Sequence, residues 1–274
     1  MLRRHAVSLL FGTAAARGAE SLARFVDTEG GAAILVDVAT RRVIAAHDPT
    51  IAAHMLAPPG STLKPFVLAA LLRSGKLAAS EAVVCTGRLS IGNRQFNCSH
   101  PVVDAPMHVD TAIAYSCNFF VARMADRFSS GELARVLEAA GLAGRIVPAR
   151  AGDPTRLQAL GEGGVLVTPA GLAGAYRHLA RDVQSPEMQP IRDGLEGAVE
   201  FGTAQRAQVA GVKVAGKTGS IRTSAGARIA WFAGFLPSRA PEVVVAVMLP
   251  GYSGGSDAAP VGGRILDAYR TGRL

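Results

Sequence analysis

Cysteine, lysine and long apolar runs are all scarce in this sequence of 274 residues. The three cysteines stand at positions 85, 98 and 117. Their spacing indicates no zinc site, so we predict neither a metal nor a cofactor. Cys85 and Cys98 flank a short polar loop, for which a disulfide and two reduced thiols are equally consistent with the sequence.

No stretch of the sequence is apolar over the about 18 residues that a transmembrane helix needs. Residues 1–16 begin with a basic pair, continue with a short apolar stretch and end in small residues. This pattern is typical of a secretory signal and predicts export. The alternative is that residues from about 14 to 25 form a first amphipathic helix. We assign 1–16 as a signal segment and 17–274 as a single domain, and we leave membrane association open.

Only four of the 29 lysines and arginines are lysines. Arginine stays protonated near neutral pH, so a lysine beside a hydroxyl is the better candidate for a base. The formal net charge of +8 would favour attraction to anionic phospholipid or cell-wall polymer. We predict no nucleic-acid partner, because no Lys/Arg run is interleaved with aromatic residues. A hydrophobic content of 49% and 31 glycines indicate a globular chain.

Apolar periodicity predicts an α/β protein of the α+β type. Two segments rich in β-branched residues, 32–38 and 43–46, form a hairpin, and a helical pattern follows from Ser61. The later elements that we predict are helices over 111–128, 130–140, 168–181, 195–205 and 259–269 and strands over 212–215, 228–236 and 242–249. This order favours an antiparallel five-stranded sheet formed by both ends of the chain. Helices flank the sheet, and a large all-helical insertion covers about 61–190.

The segment Pro58-Pro59-Gly60-Ser61-Thr62-Leu63-Lys64 precedes an apolar helix. Ser61 is placed to be its N-cap, and Lys64 lies one turn later on the same face, within reach of the Ser61 hydroxyl. A buried lysine loses its proton more easily, so Ser61 and Lys64 are candidates for a nucleophile and its base. The alternative is a helix cap followed by a solvated lysine.

Two further polar segments stand out. Ser116-Cys117-Asn118 interrupts an apolar run, where polar side chains need partners or a function. The alternative is that Ser116 only forms a hydrogen bond back to the backbone of its own helix. Lys217-Thr218-Gly219-Ser220 falls at the end of a predicted strand, where glycine lets another molecule approach the backbone. Its alternative is a turn with an exposed lysine.

Taken in order, Ser-x-x-Lys, Ser-x-Asn and Lys-Thr-Gly resemble the motifs of the transpeptidase domain of penicillin-binding proteins, in the serine β-lactamase and D-Ala-D-Ala peptidase superfamily. The resemblance extends from about Gly30 to Tyr269 and includes the segments that begin at Gly161 and Gly202. It implies a β-lactamase/transpeptidase-like fold and a penicillin-sensitive D,D-transpeptidase. Such an enzyme acts on peptidoglycan stem peptides in the periplasm or another extracytoplasmic space.

The resemblance also implies the catalytic roles. Ser61 would attack the D-Ala-D-Ala carbonyl to form an acyl-enzyme, and Lys64 would take its proton. Ser116 would pass a proton to the leaving amine. Asn118 would orient Lys64 and the substrate amide, and Lys217 would keep the local potential positive.

Substrate binding is implied for the remaining motif residues. Thr218, Gly219 and Ser220 would hold the terminal carboxylate, and the backbone N–H groups of Ser61 and Ser220 would form the oxyanion hole. Expected partners are stem peptides, β-lactams as covalent inhibitors and cell-wall synthesis proteins. A D,D-carboxypeptidase, a β-lactamase and a β-lactam sensor without turnover remain alternatives on the same fold.

Two positions depart from the family pattern. Ser220 stands where threonine is usual, and because the hydroxyl is retained we expect little loss of function. Glu162 stands where glutamine is usual. A carboxylate there could activate water for β-lactam hydrolysis, but we favour a loop carboxylate paired with an arginine.

Two patterns support other classes of protein. Gly211–Thr218 matches the P-loop of NTPases, although the residues before it make a poor strand. Gly251-Tyr252-Ser253-Gly254-Gly255 matches a nucleophile elbow. No histidine follows His178 to complete its triad, so a flexible rim loop is the favoured interpretation.

Overall fold

The structure, a computed structural model, describes residues 22–101, 105–223 and 225–274. The signal segment predicted over 1–16 lies outside the described residues. Among the helices that are described, none combines the length and the apolar character required to cross a bilayer.

An antiparallel sheet with the strand order β2-β1-β9-β8-β7 forms the centre of the described chain. Its strands are β1 (Ala32–Asp37), β2 (Val43–His47), β7 (Ala215–Arg222), β8 (Arg228–Leu236) and β9 (Val243–Pro250). Both ends of the chain contribute, as the sequence predicts, and β7 lies at one edge of the sheet. Two short ladders lie within the insertion, formed by β3 (Ser90–Ile91) with β4 (Arg94–Gln95) and by β5 (Gly144–Ile146) with β6 (Val165–Val167). The prediction that this insertion is all-helical is therefore wrong.

Helices cover both faces of the sheet. They are α1 (Pro49–His54), α2 (Lys64–Arg73), α3 (Val109–Ala114), α4 (Asn118–Ala125), α5 (Glu132–Ala139), α6 (Asp153–Ala159), α7 (Pro169–Asp182), α8 (Gln189–Glu200) and α9 (Ala259–Arg270). Short 3₁₀ turns occur at Gly60–Leu63, Pro186–Met188 and Gln205–Ala207, and one π turn at Gly254–Ala258.

Strand alternation explains why β8 and β9 are apolar along almost their whole length. On β8, Trp231 and Phe235 pack with the helical insertion, while Phe232 and Leu236 pack on the opposite side, where α9 lies. Successive strand residues point to opposite faces, so a sheet covered on both sides needs apolar residues at every position.

The structure corrects three local predictions. The helix predicted over 111–128 is divided into α3 and α4, because Ser116 has a left-handed backbone with φ of 57°. The strand predicted over 212–215 instead begins at Ala215, so Lys217 lies inside β7 and not at a strand end. Ser61 lies within a 3₁₀ turn and is not the N-cap of α2.

Candidate active site

The turn that carries Ser61 is fixed from two sides. Trp231 Nε1 donates a hydrogen bond of 2.9 Å to the carbonyl of Pro58, just before the turn. The hydroxyl of Tyr176 donates one of 2.8 Å to the carbonyl of Thr62, just after Ser61. Trp231 and Tyr176 are both fully buried, so the backbone around Ser61 rests on the rigid core while its side chain remains partly accessible.

Lys64 lies directly below this turn and is completely buried. Its Nζ donates hydrogen bonds to Ser116 O at 2.6 Å, Ser116 Oγ at 3.1 Å and Asn118 Oδ1 at 2.5 Å. The Ser61 hydroxyl is not among the hydrogen-bond partners found for Lys64 in the described chain. Burial lowers the pKa of Lys64 to about 8, against the opposing charges of Cys117 and Cys98. An amine with this pKa is neutral in a substantial fraction of molecules near physiological pH and can accept a proton.

Ser116 and Asn118 are presented to Lys64 by the break between α3 and α4. The left-handed backbone at Ser116 turns both its carbonyl and its hydroxyl towards Lys64 Nζ. The Asn118 amide is fixed from behind, because Nδ2 donates to Phe96 O at 3.0 Å and to Asn97 O at 3.4 Å. With its nitrogen engaged in this way, Asn118 must present its oxygen to Lys64.

Lys217 is the second completely buried lysine of the site. Its Nζ contacts Thr218 O at 3.2 Å and Thr203 Oγ1 at 3.5 Å. Burial, followed by the positive charge of Lys64, holds the pKa of Lys217 well below its usual value. Thr203 also accepts a hydrogen bond of 2.8 Å from Thr218 Oγ1. Sequence reasoning gave Thr203 no role, although it singled out the segment at Gly202 as similar to the family.

Gly219 and Ser220 bring β7 against the Ser61 turn. A Cβ on Gly219 would lie only 2.6 Å from Pro59 O, so this close approach requires glycine. Ser220 is exposed, and its Oγ accepts a hydrogen bond of 2.9 Å from Gly254 N. The Ser220 nitrogen lies 3.6 Å from the position that a Cβ on Gly60 would take. The structure therefore brings the three sequence motifs close together.

Glu162 pairs with Arg94 at 2.5 Å between Nη2 and Oε2, so the pairing with an arginine that we favoured from the sequence is present. The neighbouring Gly161 accepts a hydrogen bond of 3.1 Å from Gly60 N and so supports the Ser61 turn. The pair lines a groove that also includes Pro58 and Ile221, beside the motifs.

The structure contradicts the P-loop alternative. It gives a structural role to Ser253, the serine of the pattern that matches a nucleophile elbow. A phosphate-binding loop joins a strand to a helix, whereas Lys217 and Thr218 lie inside β7. Ser253 Oγ accepts a hydrogen bond of 3.2 Å from Ser256 N, so it caps the π turn that leads into α9.

The three cysteines form a cluster that the sequence spacing did not predict. All three are free thiols in the described chain, so the disulfide alternative is not realised. One ligand atom from each of Cys85, Cys98, Cys117 and His100 lies within 4.8 Å of the others. Four side chains that could bind a metal ion thus lie together, although the cysteine spacing indicated no zinc site. The signal that could have revealed it was the histidine two residues after Cys98.

Comparisons with known proteins agree with this architecture. The family model described as "Penicillin binding protein transpeptidase domain" matches residues 31–267. The crystal structure of Pseudomonas aeruginosa PBP2 in complex with WCK 5153 superposes with a TM-score of 0.79 at 22% identity, covering 91% of this chain and 76% of that one. The D,D-transpeptidase domain of a peptidoglycan glycosyltransferase from Eggerthella lenta gives 0.78 at 19% identity, covering 93% and 82%.

Proposed function

Because this chain belongs to the penicillin-binding protein transpeptidase family, we propose that it is a D,D-transpeptidase that acts on peptidoglycan stem peptides through an acyl-enzyme at Ser61. The observation that carries the proposal is the state of Lys64. It is fully buried and hydrogen-bonded to Ser116 and Asn118, with a pKa lowered to about 8. A lysine in this state is suited to accept a proton from a neighbouring hydroxyl.

Acylation would follow from this arrangement. Ser61 Oγ attacks the carbonyl of the penultimate D-Ala while its proton passes to Lys64. The backbone N–H groups of Ser61 and Ser220 stabilise the negative charge on the tetrahedral intermediate, a type of interaction whose loss costs about 10²–10³ in rate. Ser116 Oγ, which lies 3.1 Å from Lys64 Nζ, relays the proton to the departing D-Ala amine.

Lys217 would select an anionic substrate. In the free site it is buried, and its hydrogen bonds run to Thr203 and Thr218. The terminal carboxylate of a stem peptide, bound at Thr218, Gly219 and Ser220, would supply the missing negative charge and raise the pKa of Lys217. Ligands without a carboxylate should therefore bind poorly.

The second half-reaction returns Ser61 to its free state. An acceptor amine from a neighbouring stem peptide attacks the acyl carbonyl, which forms the cross-link and releases Ser61 with its proton restored through Lys64. The reaction would take place outside the cytoplasm, with cell-wall synthesis proteins as partners and β-lactams as covalent inhibitors. Attack by water in place of the amine would make the chain a D,D-carboxypeptidase.

The test is the intact mass of the purified protein after incubation with benzylpenicillin. We expect one adduct on the wild type, none on Ser61→Ala, and one on the control Ser253→Ala, whose serine only caps a turn. An adduct on folded Ser61→Ala would contradict the assignment of the nucleophile. A wild type that consumes benzylpenicillin without accumulating an adduct would indicate a β-lactamase, and one that neither reacts nor consumes it would indicate a binding domain.

A stem-peptide assay then separates the peptidase activities. We expect D-Ala release to be accompanied by a new amide product when an acceptor amine is present. Release of D-Ala without that product would indicate a D,D-carboxypeptidase. A stable adduct with β-lactams but no D-Ala release would indicate a sensor.

A further inference from the structure

Three sulfurs and one imidazole nitrogen converge beside the active site. The Sγ–Sγ distances are 3.7 Å for Cys85–Cys98, 3.7 Å for Cys98–Cys117 and 3.5 Å for Cys85–Cys117. His100 Nε2 lies 3.6 Å from Cys85 Sγ. Tetrahedral zinc with Zn–S bonds of about 2.3 Å and Zn–N bonds of about 2.0 Å requires ligand separations of about 3.8 Å between sulfurs and about 3.5 Å between sulfur and nitrogen. The three S–S distances and the separation between Cys85 and His100 agree with these values, and all four ligand atoms lie within 4.8 Å of one another.

The imidazole of His100 is oriented as a metal ligand. Its Nδ1 lies 2.7 Å from the carbonyl of Pro101, a separation at which Nδ1–H donates a hydrogen bond. That hydrogen bond leaves the lone pair on Nε2, the nitrogen that faces the sulfurs. Histidines that bind metals characteristically donate their other ring N–H to a carbonyl or carboxylate in this way.

The sulfurs are oriented by backbone donors. Each Sγ accepts one N–H hydrogen bond, from Gly87 to Cys85 at 3.3 Å, from Phe119 to Cys98 at 3.5 Å and from Phe120 to Cys117 at 3.4 Å. Such donors stabilise the negative charge that a thiolate carries when it binds a metal. Two of them belong to the first turn of α4, so the cluster is tied directly to that helix.

A disulfide does not explain this arrangement. A disulfide needs an S–S length of about 2.05 Å, and it would join two of the sulfurs while leaving the third and the imidazole without a role. Here the three sulfurs are almost equidistant, and the imidazole completes a fourth corner.

We propose that Cys85, Cys98, His100 and Cys117 bind one Zn²⁺ in a closed, four-coordinate site. Thiolate and imidazole ligands in a tetrahedron favour zinc over the hard cations magnesium and calcium, which prefer oxygen. Binding releases three protons, one from each thiol, and His100 binds as the neutral imidazole. The coordination sphere is complete, so the metal supplies structure and no bound water for chemistry.

The site fixes the loop that orients Asn118. The loop between Cys85 and His100 carries the carbonyls of Phe96 and Asn97, which accept the hydrogen bonds of Asn118 Nδ2. Cys117 stands between Ser116 and Asn118 in the chain. One metal ion thus joins the loop and the Ser-x-Asn segment, and it would hold Asn118 in position beside Lys64.

Metal content tests the site without reference to activity. The full chain, purified without chelator, should contain about one equivalent of zinc, and its X-ray absorption should show three sulfurs and one nitrogen at the bond lengths above. After the zinc is exchanged for Co²⁺, the spectrum should show the intense visible bands of a tetrahedral thiolate site. Cys98→Ser and His100→Ala should lose most of the metal, whereas the control His54→Ala, an exposed histidine on α1, should keep it.

Measurements on the wild type test the site even if a variant that lacks one of the metal ligands does not fold. Folded wild type that contains no zinc and takes up neither Zn²⁺ nor Co²⁺ would overturn the site. A Cys85–Cys98 disulfide in most molecules of the purified protein would overturn it as well. Its signature is a mass about 2 Da below that of the reduced chain.

The positioning role has its own measurement, and it rests on the proposed function. Removal of zinc should slow acylation by benzylpenicillin by about 10–100-fold, and zinc should restore the rate. An unchanged rate in folded, zinc-free protein would overturn the positioning role. If zinc-loaded protein forms no adduct at all, the proposed function fails, and the metal content and cobalt spectrum still decide the metal site.

Discussion

Lys64 Nζ and Asn118 Oδ1 lie 2.5 Å apart, although they belong to different helices, α2 and α4. The orientations of both side chains are fixed by their surroundings. Lys64 is enclosed by the core, and the amide nitrogen of Asn118 is engaged by the carbonyl of Phe96. No carboxylate takes part in this contact, and burial is the main cause that lowers the pKa of Lys64 to about 8.

We expect acylation to depend on pH through Lys64. Only the neutral amine can take the Ser61 proton, so the second-order rate constant with benzylpenicillin should rise about tenfold per pH unit below the pKa and level off above it. The pKa of about 8 places the bend in this pH profile, the point at which the rate constant stops rising, near pH 8. Stopped-flow or quenched mass measurements between about pH 6 and pH 9 test this. Lys64→Arg, which cannot lose its proton, should acylate far more slowly, and a flat wild-type profile would contradict the role of Lys64 as base.

Replacement of Asn118 by aspartate should shift this profile. A carboxylate 2.5 Å from Nζ favours the charged amine, so the pKa of Lys64 rises and the bend moves to higher pH. The rate at neutral pH should fall because less of the free base is present. Asn93→Asp, in the exposed turn between β3 and β4, is the matched control and should leave the bend in place. A bend unmoved in folded Asn118→Asp would show that Asn118 does not influence Lys64.

Substitution of Gly219 by alanine should weaken both the fold and the site. The added Cβ would meet Pro59 O at 2.6 Å, so β7 must move away from the Ser61 turn. Overpacking of this kind typically costs about 1–3 kcal/mol. The control is Gly174→Ala in α7, where a Cβ meets no atom and should raise the free energy of unfolding by about 0.5–1 kcal/mol. Urea unfolding measures both, and equal stabilities of the two variants would show that β7 is not tightly packed against the turn.

Replacement of Glu162 by glutamine should change little. Its ion pair with Arg94 is solvent-accessible, with the arginine side chain 51% exposed, and such pairs contribute about 0–1 kcal/mol. If the pair only holds a loop, the lifetime of the benzylpenicillin adduct should be the same in Glu162→Gln and in the wild type. A clearly longer adduct lifetime in the variant would show that Glu162 activates the hydrolytic water.

The sequence predicted the sheet well because its strands follow simple apolar patterns. The segments at 228–236 and 242–249 are continuous apolar runs, and they agree closely with β8 and β9. The strand β7 was misplaced because Gly216, Lys217 and Gly219 have weak strand propensity. Their extended conformation depends on pairing with β8, a tertiary interaction that local periodicity does not contain.

The site was predictable as a set of motifs but not as a geometry. Spacing along α2 suggested that Lys64 reaches Ser61, whereas its hydrogen bonds run to Ser116 and Asn118, about fifty residues away in the chain. The break at Ser116 was missed because apolar residues at helical spacing lie on both sides of this polar segment. The roles of Thr203 and the cysteine cluster likewise depend on segments that only the fold brings together.

From the pairing of β1 with β9 we expect the candidate site to assemble late in folding. Leu35 pairs with Val245, so the centre of the sheet forms only when both ends of the chain are present. Contacts so distant in sequence carry a large loop-closure entropy and form slowly. Ser61 lies at the start of the insertion, and Lys217 lies beyond its end. A nascent chain would therefore hold Ser61 apart from Lys217, and the candidate site would form only after β7, β8 and β9 have been synthesised.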